Sequence, residues 1–84
     1  MKVILFTCRE GGPADRERVR TEVTKLPDVA TYAPLRLRGS TLTVEGAYGV
    51  TLHDDAQADR IADAIRRTPG VELVSVHDAE HQHP

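Results

Sequence analysis

Hydrophobic residues along this chain fall into short runs whose period switches between that of a strand and that of a helix. Val3, Ile4, Leu5 and Phe6 are apolar at consecutive positions and lead into Thr7. A strand that is apolar on both faces belongs inside a sheet. The run stops at "CREGGP", where Gly11 and Gly12 permit turns and Pro13 suits the first position of a helix. In "ADRERVRTEVTKL", Val19, Val23 and Leu26 recur at i, i+4 and i+7, a single helical stripe among Arg, Glu and Lys. Asp15 and Glu17 near the start and Lys25 near the end complement the helix dipole, and Pro27 ends the helix.

The middle of the chain alternates with period two. Ala33, Leu35 and Leu37 interleave with Pro34, Arg36 and Arg38, and Gly39-Ser40 fits a two-residue hairpin turn. Beyond it, Leu42, Val44, Tyr48, Val50 and Leu52 share one parity, with Gly46 in step. This predicts a long strand, bulged or bent at Gly46 or Gly49. The rival reading places the hairpin turn at "EGAYG"; the unbroken parity favours Gly39-Ser40. Pro34 has no N–H for a ladder, so its strand is expected at a sheet edge.

A second helix follows in "DDAQADRIADAIRRTPG". Asp54 or Asp55 can cap it, Ala58, Ile61, Ala62 and Ile65 form its stripe, and Pro69-Gly70 ends it. "VELVSV" is the last strand. The order strand, helix, strand, strand, helix, strand predicts an α+β ferredoxin-like βαββαβ sandwich. Its antiparallel four-stranded sheet has order 4-1-3-2, with two helices on one face. The first strand is then central and the Pro34 strand lies at an edge, as each separately requires. Residues 1–77 are read as a single domain and 78–84 as a flexible C-terminal tail. The joints "LPDV" and "TPGVELVSV" are similar to those of ferredoxin-like ligand-binding modules, among them heavy-metal-associated domains and the regulatory domains of amino-acid-responsive transcription factors. The metal-carrying Cys-x-x-Cys is missing, since Arg9, Glu10 and Gly11 follow Cys8.

Composition narrows the function classes. The 84 residues carry a net charge of −2, which provides no electrostatic footprint for duplex nucleic acid. No apolar run approaches a membrane span, and the N-terminus lacks the features of a secretory leader. One cysteine excludes an internal disulfide, and the expected setting is cytoplasmic. Aromatics are 4% of the chain, so the core must be aliphatic.

Helices on one face leave the other bare. There the first strand presents either Val3 and Leu5 or Ile4 and Phe6. The last strand presents either Val74 and Val76 or Val71 and Leu73. An exposed apolar patch of this kind marks an interface. The expectation is a small non-catalytic binding or protein-interaction module, homodimeric through the open sheet face, with no cofactor. One alternative is a small dimeric α+β barrel-type enzyme with a pocket near Cys8 or His53. Another is metal binding by His77, His81 and His83, whose spacing fits neither one helix face nor one strand face and is read as a solvated tail. The weaker ligand or partner candidates are Cys8 and Arg9 at a strand end, Gly11 and Gly12 in an anion-cradle geometry, Arg36 and Arg38 on the edge strand, and His53 beside Asp54 and Asp55. Recognition of single-stranded RNA by a sheet of this topology needs an aromatic platform, for which only Phe6 lies near the right place.

Overall fold

A computed structural model describes residues 2–9, 13–36 and 42–78. Strand β1 is Lys2–Cys8, helix α1 Pro13–Thr24, strand β2 Val29–Arg36, strand β3 Thr43–Leu52, helix α2 Ala58–Arg66 and strand β4 Val71–Asp78. The sheet order is β2-β3-β1-β4 and every neighbouring pair is antiparallel. This is the predicted ferredoxin-like arrangement, with β1 central and the Pro34-bearing β2 at an edge. Strand β4 reaches Asp78, which pairs with Lys2, so the ladder extends one residue into the segment read as tail. Residues 79–84, with His81 and His83, lie outside the described residues.

One apolar cluster joins both helices to one side of the sheet. Ile4 and Phe6 of β1 and Val50 and Leu52 of β3 meet Val19 and Val23 of α1 and Ala58, Ile61, Ala62 and Ile65 of α2, with Val71 closing one end. The α2 stripe is buried as its spacing requires. A 3-10 turn, Asp55–Gln57, precedes that helix, and the Asp54 carboxylate accepts from the Ala56 N–H at 3.0 Å. Helix α1 is anchored more thinly, through Val19 and Val23, with Leu26 beyond its end packed against the cluster. Its outer surface carries the i,i+3 ion pairs Asp15–Arg18 and Glu17–Arg20, and Glu22 reaches Lys25 just past the helix. Exposed pairs of this kind add little stability.

The continuous alternation expected from Leu42 to Leu52 is not kept. Pro34 pairs with Tyr48 but Arg36 pairs with Thr43, so a single residue of β2 faces four of β3 between those pairs. Gly46 takes φ +77° within this bulge. An odd number of extra residues reverses which side chains face the core. Val50 and Leu52 are therefore buried, whereas Leu42 and Val44 are exposed. Gly46 and Gly49 lie inside β3, which removes "EGAYG" as the hairpin turn. The Arg36–Thr43 pairing is the register that a turn at Gly39-Ser40 requires; those two residues lie outside the described residues, as does Leu37.

Two glycines hold backbone angles that side chains resist, but only one is also crowded. Gly70 has φ +97°, and a Cβ there would stand 3.1 Å from Val19 Cγ2. At Gly46 the nearest atom would be the Cys8 carbonyl oxygen at 3.7 Å. Gly46→Ala is expected to cost about 1 kcal/mol from backbone strain alone. Gly70→Ala should cost more, about 2–3 kcal/mol, because Val19 must also move. Urea unfolding of the two variants checks this order.

Candidate interaction surface

Pairing register fixes which side chains stand on the face away from the helices. Ile4 and Phe6 point to the helices, so Val3, Leu5 and Thr7 point the other way. Across the sheet they align in three rows. The first is Thr31, Thr51, Val3 and His77; the second is Ala33, Gly49, Leu5 and Ser75; the third is Ala47, Thr7 and Leu73, and Leu35, in the register break of β2, lines the hollow beside Thr7 and Leu73. No row contains a carboxylate, a lysine or an arginine. Of the two parities considered for β4, the open face receives Leu73, while Val71 enters the core and Val74 and Val76 pack against it.

The face is concave. Gly49 has no side chain, and a Cβ there would meet Leu5 Cδ2 at 3.4 Å, Leu35 Cδ2 at 3.7 Å and Val3 Cγ1 at 3.8 Å. Ala47 is buried yet stands apart from the helix-side cluster. Small residues thus floor a trough that the leucines overhang. A hollow of about 360 Å³ lies beside them, lined by Leu5, Thr7, Leu35, Leu73 and Ser75 over Phe6 and Val74. Leu73 projects with 65% of its surface exposed. At one end the hydroxyls of Thr31 and Thr51 hydrogen-bond across strands, and Ser75 Oγ contacts His77 Nε2 at 2.8 Å.

All three aromatic side chains lie on the helix side instead. Phe6, Tyr32 and Tyr48 form a cluster with centroid separations of 5.3–5.9 Å, and Tyr32 stacks on Tyr48. Phe6 is 1% exposed, so the open face offers no base-stacking platform.

The other candidate residues are scattered. Cys8 ends β1 half-buried. Burial raises its thiol pKa above the ordinary value, and the Arg16 guanidinium opposes that only in part. Arg9 is exposed, and its N–H donates to the Gly70 carbonyl at 2.8 Å. Arg36 is exposed opposite Thr43 at the edge. His53 is exposed at the far end of β3, where its N–H donates to the Asp28 carbonyl at 2.7 Å. Strand lengths place Cys8 roughly 17 Å from His77 and roughly 23 Å from His53. Cys8 and His53 therefore share no pocket, and neither lines the open-face hollow. No group of three metal-ligating side chains occurs among the described residues. Gly11, Gly12 and Arg38 lie outside them. No described helix is long and apolar enough to cross a membrane.

Sequence reasoning located the open face but missed its trough, because Gly49 looked like a bulge site rather than a gap among leucines. It also missed the aromatic cluster, whose members come from three strands.

No protein-family model and no curated protein sequence matches the chain. Two solved structures share its fold. TTHA0845 from Thermus thermophilus aligns over 100% of this chain and 99% of its own, at 19% identity and a TM-score of 0.60. The hypothetical protein PHS023 from Pyrococcus horikoshii aligns over 100% of both chains, at 16% identity and a TM-score of 0.50. At these identities the likeness is one of fold.

The hydroxyl of Tyr32 is buried without a hydrogen-bond partner. Burial, then the neighbouring Cys8 and Tyr48, push its pKa far up. Cys8 and Tyr32 thus hold their protons more tightly folded than unfolded. Above their ordinary values of 9.0 and 10.0 the folded state binds more protons, so stability falls as pH rises. Below pH 9 this contribution is fully present. Melting temperature should therefore decline in alkali, and Tyr32→Phe should remove the part that sets in near pH 10. At pH 7 the same variant should be as stable as the parent or more so, by about 1 kcal/mol, since it deletes a buried group that lacks a partner. Thermal melts from pH 7 to 11 read both effects.

Proposed function

We propose that this protein is a small non-catalytic interaction module that self-associates through its open sheet face. The observation that carries the reading is the combination of apolar, concave and uncharged character on one contiguous surface. Burying such a face gains free energy and desolvates no formal charge except, on protonation, that of His77. A second copy of the chain is the occupant the surface suits best. The face carries both a projecting leucine, Leu73, and a glycine-floored trough, and a two-fold axis can place each against its counterpart.

Size supports the same reading. Three rows across four strands span about 20 by 20 Å, from a strand spacing of roughly 4.8 Å and a rise of roughly 3.3 Å per residue. Two such faces in contact remove at least about 800 Å² of surface, and side-chain relief takes this toward the roughly 1,200 Å² of a specific interface. The single cysteine fits a reducing, cytoplasmic setting. Against nucleophilic catalysis stand a thiol kept protonated by burial and imidazoles at the opposite end of the sheet.

Leu35→Glu places a carboxylate in the trough wall without touching the helix-side core. It should halve the mass of the assembly in light scattering at tens of micromolar. It should weaken association at least ~30-fold, the equivalent of losing roughly 2 kcal/mol or more. A parent chain that runs strictly as a monomer at that concentration refutes the reading.

A further inference from the structure

The sheet has two edges, and only one is guarded. Strand β2 carries Pro34, a register break and the exposed Arg36, three devices that discourage another strand from pairing. Strand β4 has eight residues, no proline, no lysine and no arginine, and its segment Leu73–Val76 is uncharged and rich in β-formers. Its one irregularity falls at its beginning, between the pairs Thr7–Leu73 and Cys8–Val71.

The direction of the free backbone groups follows from one contact. The Leu73 N–H reaches the Thr7 hydroxyl on β1 at 3.3 Å. Backbone groups alternate sides along a strand, so Ser75 and His77 also point to β1, whereas Val74 and Val76 direct N–H and C=O away from the sheet. These two residues form a ready half-ladder.

We propose that β4 is a second self-association surface, pairing antiparallel with β4 of another copy about a two-fold axis through Ser75. In that register Val74 opposes Val76 of the other copy twice over, Ser75 meets Ser75, and Leu73 meets His77. The β-branched pairs are favourable and roughly four backbone hydrogen bonds form; against them, Glu72 opposes Asp78 at each end of the pairing, a like-charge cost. Two sheets become one of eight strands, with the open faces side by side. This surface is distinct from the face described above. Together the two surfaces give two perpendicular two-fold axes and an assembly of four chains.

Amide exchange on the full chain tests the edge directly. Val74 and Val76 N–H groups should exchange roughly 100-fold more slowly at tens of micromolar than after dilution to the monomer. On an unpaired edge they exchange quickly at every concentration, which overturns the proposal. Val76→Pro removes an outward donor and leaves the β1 ladder intact, so it should halve the assembly mass with an unchanged circular dichroism spectrum. If it folds and leaves the mass unchanged, the edge is not used. Leu35→Glu lies three strands away and separates the two readings. A dimer insensitive to Leu35→Glu but split by Val76→Pro upholds the edge and refutes the face; the reverse upholds the face and refutes the edge. Sensitivity to both, with a monomeric double variant, upholds both.

Discussion

Everything in this fold turns on β1 being apolar on both sides while only one side is covered. Ile4 and Phe6 are nearly inaccessible beneath the helices, and their burial ties the sheet to α1 and α2. Val3 and Leu5 sit on the same strand and face away. The two helices, of 12 and 9 residues, are about 18 and 14 Å long. That suffices to roof one face of a four-stranded sheet, and among the described residues no helix lies on the other. The uncovered side follows from how little helix the described residues form.

Much of this architecture was legible in the residues. Two-sided apolarity placed β1 centrally, Pro34 placed β2 at an edge, and the α2 stripe was read correctly at Ala58, Ile61, Ala62 and Ile65. Which side of β1 meets the helices was not legible, because both sides are hydrophobic. The neighbouring strands decide it. Ile4 and Phe6 align with Val50, Tyr48, Val76 and Val74, whereas Val3 and Leu5 align with Thr51, Gly49, His77 and Ser75. Bulky partners make one side a core and small or polar partners make the other a shallow surface. That distinction needs the register, which no single strand encodes. The fate of Leu42 and Val44 was hidden for a related reason. A local parity rule carries no information about an odd insertion opposite another strand.

Cys8, His53 and His77 are kept apart for a topological reason. In an antiparallel sheet the chain passes from one end to the other at each strand. Cys8 ends β1 at one end, and His53 follows β3 at the other. His77 on β4 sits beside Val3, again at the far end from the thiol. A nucleophile and a base at those positions are separated by the length of a strand. Burial compounds the separation, since it holds Cys8 in its unreactive protonated form. The residues that do converge, Phe6, Tyr32 and Tyr48, bring aromatic surface and one unpartnered hydroxyl, a packing arrangement with little to offer a substrate.

The distribution of charge bears on what the two bare surfaces are for. Charged residues are 29% of the chain, enough to screen any surface that must stay solitary. Helix α1 alone carries a dense set of Arg, Glu and Asp on its outer side. Along β2, Arg36 and Pro34 make the edge a poor template. The rows of the open face hold none of this charge, and Leu73 stands 65% exposed among them. On β4 the only acidic residues are Glu72 and Asp78, one near each end. A chain so well supplied with charge could have protected both surfaces at little cost in stability, because exposed positions tolerate substitution within about 0.5 kcal/mol. Their shared bareness, beside an edge so thoroughly guarded, leaves the charge of the described residues on the helices, the β2 edge and the strand ends.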